Sequence, residues 1–152
     1  MSWDELNRLF QQAVKAFRES RLVEAAAGFR RIRDHGTTDP RHLSYCGLVM
    51  AVVEGKVKEG LELCEQAADV ASYDPQMFLN LSRLHARTGW KSRAAEVLRK
   101  GLRLHPDDSA LLRELGKVNP RSKPPLDFLD RNHPLNKHLG ILRAQLVRPN
   151  GR

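Results

Sequence analysis

Cysteines, long apolar runs and catalytic motifs are all scarce in this chain, and each shortage removes a class of protein. Only two cysteines occur in 152 residues, Cys46 and Cys64, too few for the disulfide framework that staples small secreted domains. Both fall inside amphipathic helical patterns, where a thiol serves as a small core residue in a reducing compartment. The longest uninterrupted apolar stretch, around Gly47 to Val53, is far shorter than the roughly 20 residues a bilayer-spanning helix needs. The opening Met1-Ser-Trp-Asp-Glu lacks the basic-then-apolar pattern of a signal peptide. A cytoplasmic setting without membrane insertion is therefore expected.

Catalysis needs an acid, base or nucleophile held with its partners around one pocket, and no such constellation can be read. His35, His42, His85, His105, His133 and His138 have no metal-like pairing with the cysteines, and neither a Gly-rich phosphate loop nor a nucleophile elbow is present. Each histidine reads as a surface or packing residue. Neither enzyme activity nor a metal or cofactor is expected.

The chain does have an excess of positive charge, gathered at one end. Residues 1–108 carry 17 Lys and Arg against 15 Asp and Glu, whereas residues 109–152 carry 9 against 3. A nearly neutral body with a cationic end points to local steering of an acidic partner, with nucleic acid as the second reading.

The strongest signal is periodicity. From Pro75 to Asp108, a span of 34 residues, large and small residues fall at fixed places: Phe78, Asn80-Leu81-Ser82, Gly89, Ala94, Leu98, Gly101 and Pro106. The small residues let two antiparallel helices approach, Gly89 permits a tight turn, and Pro106 ends the second helix. An earlier copy, 41–74, has Gly55 in the turn, Gly60 at the small position and Cys64 and Ala67 facing inward. Its Gly47 stands one place before the expected small position, which Leu48 takes, and its closing proline, Pro75, is late. A further copy over about 6–39 uses Ala13, Ala16, Ala25, Phe29 and Ile32, has Ser20 for the turn glycine, and closes at Pro40. Ser2 and Glu5 form a capping-box pattern at its start. A fourth copy begins at Ser109, with Leu112, Leu115 and Gly116 in register, and fails at Asn119-Pro120.

This pattern resembles the tetratricopeptide repeat (TPR) family over residues 6–118. The resemblance implies an all-α, right-handed α-α superhelix of about three helix-turn-helix repeats, since one helical pair cannot cover its own apolar face. The solenoid is expected over 1–119 (repeats about 6–39, 41–74 and 75–108, partial repeat 109–119). Residues 120–152 form a proline-interrupted tail, with a capping helix over about 134–147 from the stripe Leu135, Leu139, Leu142 and Leu146. The segment from Pro125 to Gly140 is similar to the tails of short, stand-alone bacterial TPR proteins.

In this family the first helix of each pair lines the concave face. Carried over by repeat position, that implies a partner-binding groove of Phe10, Val14, Phe17, Tyr45, Val49, Asn80, Arg83, Arg87, Arg113 and Lys117, apolar at one end and cationic at the other. Arg83 and Arg87, one turn apart, repel by a few tenths of a kcal/mol, which a partner's carboxylates would relieve; the tail's own Asp127 and Asp130 are the alternative. Some TPR proteins grip a terminal carboxylate with Lys and Asn. Here Asn80 fits, but Phe10 and Val14 stand where that clamp needs Lys and Asn, so chaperone-tail recognition is not carried over. The resulting expectation is a non-enzymatic adaptor or scaffold that binds an acidic and apolar segment of another protein. Nucleic-acid binding by the basic end and self-assembly through the tail leucines are the competing readings.

Overall fold

The computed structural model describes residues 1–118. The expected tail helix over 134–147 lies outside the described residues. Seven α-helices and no strands occur among those described: α1 (Trp3–Arg18), α2 (Leu22–Asp34), α3 (Pro40–Val53), α4 (Val57–Val70), α5 (Pro75–Arg87), α6 (Lys91–Leu104) and α7 (Ser109–Val118). They pack as three successive antiparallel pairs, α1 with α2, α3 with α4 and α5 with α6, followed by α7 against α6 and α5.

Each first helix starts on a side-chain cap. Ser2 Oγ accepts from the Glu5 amide while Glu5 accepts from the Ser2 amide, the capping box expected. Asp39 and Asp74 cap α3 and α5, and Asp108 accepts from the Ala110 and Leu111 amides. Pro40 and Pro75 are the first residues of α3 and α5, so they open repeats rather than closing the preceding ones. A proline lacks only an amide hydrogen that is already unpaired at a helix start, and its fixed φ suits that position.

The turns inside the first three hairpins need a left-handed residue. Gly55 and Gly89 supply it with φ of 72° and 87°, and Ser20 occupies the matching place with φ of 60°. After α1 the Arg21 amide donates to the Ala16 carbonyl and the Ser20 amide to Phe17, closing the helix as a Schellman motif. A left-handed side-chain-bearing residue is strained, so Ser20→Gly is expected to raise unfolding stability by about 0.5–1 kcal/mol. A thermal midpoint a few degrees above wild type would show it; an unchanged or lower one would refute it.

Burial follows the stack as three successive clusters. Leu6, Phe10, Phe29, Ile32, Tyr45 and Val49 anchor the first; Leu48, Cys64, Ala67, Met77 and Leu84 the second; and Phe78, Ala94, Leu98, Leu111 and Val118 the third. Adjacent residues of one helix therefore serve different clusters, as Leu48 and Val49 do. Gly47 and Gly60 let α3 and α4 touch backbone to backbone: a Cβ on Gly47 would lie 2.5 Å from the Gly60 carbonyl oxygen and 2.9 Å from Cys64 Sγ. The small position of α3 is thus Gly47 itself, and Leu48, fully buried, packs in the second cluster.

Polar ties also cross the repeats. Asn80 Nδ2 donates to Ser44 Oγ at 3.0 Å, with both residues fully buried, and Arg41 Nε donates to the capping Asp74 at 2.7 Å. Cys46 and Cys64 are free and buried, and burial pushes both thiols up to about 12, so they are protonated and unreactive in the folded chain.

Candidate functional site

The first helices α1, α3, α5 and α7 line a concavity of about 360 Å³. Its floor is Phe17, Tyr45, Leu48 and Leu79, and its rim carries Arg18, Gln76, Arg83, Arg87 and Ala110. Helical spacing builds the α5 wall: Gln76, Leu79, Arg83 and Arg87 recur at intervals of three and four and so share one face. Three guanidinium groups thus stand around an apolar base, an arrangement that can hold carboxylates beside an apolar side chain.

Of the residues expected there, Phe17, Tyr45, Arg83 and Arg87 meet in this concavity. Phe10, Val14, Val49 and Asn80 do not line it. Phe10, 6% exposed, lies edge-on to Phe29 and Tyr45 and packs on His42. Val14 and Val49 belong to the first core cluster. Asn80 donates to Ser44 while accepting from Gln76 Nε2 at 2.8 Å, so its amide is already engaged. Arg113 and Lys117 are exposed on α7, donating to Ser109 Oγ at 3.3 Å and to Glu114 at 3.2 Å. Glu114 also pairs with Arg83 at 3.5 Å; Arg87 has no ion-pair partner among the described residues. Arg18, Gln76 and Leu79, which repeat position also assigns to the groove faces of α1 and α5, line it too, and Leu48 and Ala110 do so without having been expected. For Leu48 the available signal was Gly47: a glycine used for the α4 contact assigns the next residue to another face.

Two histidines sit under tryptophans. His42 stacks on Trp3 at 6.0 Å and its Nδ1 lies 3.0 Å from Thr37 Oγ1. His85 stacks on Trp90 at 5.9 Å, and its buried Nδ1 has no hydrogen-bond partner among the described residues. Burial lowers both pKa values below the ordinary 6.5; for His85 the Glu65 and Glu96 carboxylates oppose that shift and Arg93 adds to it. The unfolded chain therefore takes up these protons first on acidification, and the stability that neutral histidine contributes above pH 6.5 is lost as pH falls below it. The thermal midpoint should drop between pH 7 and 5, with His42→Gln and His85→Gln flattening the slope; parallel slopes for wild type and variants would contradict this.

No metal-like group of His, Cys, Asp and Glu occurs among the described residues, and no helix among them is long and apolar enough to cross a membrane. Comparison with known proteins matches one repeat by sequence and more of the chain by fold. Residues 75–118 match the tetratricopeptide repeat family, the copy whose pattern is clearest in the sequence. Solved structures extend that likeness in fold to most of the chain. The first TPR of Spaghetti (RPAP3), bound to the HSP90 peptide SRMEEVD, is 14% identical with a TM-score of 0.61, covering 78% of this chain and 96% of that one. The Sgt2 TPR domain from Aspergillus fumigatus is 18% identical with a TM-score of 0.61, covering 88% and 93%. PcrH, solved with the chaperone binding region of PopB, is 15% identical with a TM-score of 0.58, covering 78% and 95%. Residues 75–118 are thus similar to a tetratricopeptide repeat, and the described residues as a whole have the fold of an all-α helical repeat. No curated protein matches the chain in sequence.

Proposed function

We propose that this chain is a binding module, not a catalyst, and that it holds an acidic and apolar segment of another protein in the concavity of its first helices. The observation that carries this reading is the arginine-rimmed apolar floor: Arg18, Arg83 and Arg87 around Phe17, Tyr45, Leu48 and Leu79. A carboxylate placed there relieves the repulsion between Arg83 and Arg87, and an apolar side chain covers the aromatic base. Two of the structural neighbours are solved with segments of other proteins, one of them the acidic peptide SRMEEVD, which supports the same use of the fold. The protonated, unpaired thiols of Cys46 and Cys64 favour a reducing, cytoplasmic setting. The test is affinity capture from the native lysate, identification by mass spectrometry, and measurement of Kd for wild type and Arg83→Glu/Arg87→Glu.

A further inference from the structure

We infer that the recognised segment does not end in the concavity but runs over its rim into a second cavity, where a second apolar side chain is seated; this rests on the reading just given. The second cavity, about 660 Å³, lies where the α3–α4 and α5–α6 turns come together, and its lining includes Val52, Val57, Leu84, Arg87, Thr88 and Trp90. Arg87 lines both cavities. One guanidinium, without an ion pair among the described residues, thus stands at the junction of two apolar depressions. A carboxylate on Arg87 would set the apolar residues on either side of it over Tyr45 and Leu79 in one direction and over Val57 and Trp90 in the other.

Trp90 is built to receive such a contact. It is 51% exposed, yet its ring is held by His85 at 5.9 Å and by the Arg93 guanidinium 5.6 Å from its centroid. A large apolar wall that is already fixed loses little conformational freedom when it is covered. Lys91 and Arg93 follow it in sequence, so the approach to the edge is as cationic as the groove. That favours an acidic partner segment over a basic or purely apolar one. The occupant is thus an extended stretch of another protein with an acidic residue between two large apolar ones.

The probe is a phage-displayed library of random 12-residue peptides. It is selected in parallel on wild type, Val57→Lys and Val52→Lys, which fill the edge cavity, and on Arg83→Glu/Arg87→Glu, each first shown to be helical and cooperatively folded. Wild type should enrich an acidic residue flanked on both sides by large apolar ones. The lysine variants should keep the acid and one flank, lose the other, and bind the best wild-type peptide about 10-fold more weakly. Unchanged enrichment and affinity on both lysine variants, or a wild-type motif with a single apolar flank, overturns the edge site and leaves the groove standing. A wild-type motif indifferent to the arginine reversal overturns the groove reading itself.

Discussion

Gly47→Ala and Gly60→Ala should each lower the unfolding free energy by about 2 kcal/mol, although alanine is the better helix former by about 1 kcal/mol. The two glycines face each other where α3 crosses α4. A methyl on Gly60 would come 2.5 Å from the Gly47 carbonyl oxygen and 2.8 Å from the Ala51 Cβ, just as one on Gly47 would strike Gly60 and Cys64. Both obstacles include backbone, so no rotamer change relieves them, and the helices must part. Parting thins contacts around Cys64 and Ala67, which are buried to 1% exposure or less. Gly116, on α7, supplies the control, because no atom of the described residues lies within 4 Å of the Cβ it would gain; Gly116→Ala should stabilise by up to about 1 kcal/mol. Denaturant unfolding of the three variants decides the matter, and a neutral Gly47→Ala would mean that the crossing is looser than the structure has it.

Reversing Arg83 and Arg87 to glutamate should weaken partner binding by at least about 100-fold, since each charge-assisted hydrogen bond contributes about 1.5–3 kcal/mol and the new carboxylates would repel acidic residues. The same partner should bind wild type less well as salt rises. Arg99→Glu, an exposed change on α6 away from the concavity, is the matched control and should leave affinity nearly unchanged. Both double and control variants should melt within a few degrees of wild type, because Arg83 and Arg87 reach the surface of α5 and their only ion pair among the described residues, that of Arg83 with Glu114, is at 3.5 Å and leaves Glu114 its contact with Lys117. Equal loss in the double variant and in Arg99→Glu would mean that net charge, not the groove, attracts the partner.

The fold was largely legible because its signals are local and repeat. The cap at Ser2 and the turns at Ser20, Gly55 and Gly89 follow from residue chemistry that needs no tertiary knowledge, whereas Asp39-Pro40 and Asp74-Pro75, read as stops, are helix starts. The groove was legible only where one helix has a polar side and an apolar side. On α5 the intervals between Gln76, Leu79, Arg83 and Arg87 suffice. On α3 they do not, because nine of its fourteen residues are buried and a helix that is apolar nearly all round does not announce which side faces the hollow. Val49 thus reads as groove and packs as core, while Leu48 does the reverse duty of lining the concavity and filling the second cluster. Asn80 failed for a different reason. Its partner, Ser44, lies 36 residues away, and nothing in the spacing reveals that the amide is spent on holding two repeats together.

The division of α3 between two clusters gives that helix the position of a party wall. Val49, Tyr45 and Cys46 support the structure on one side and Leu48 and Ala51 support it on the other. Damage to an end helix removes a neighbour from one room, whereas damage to α3 opens two rooms at once and takes with it both Tyr45 and Leu48, the floor on which a guest chain would rest.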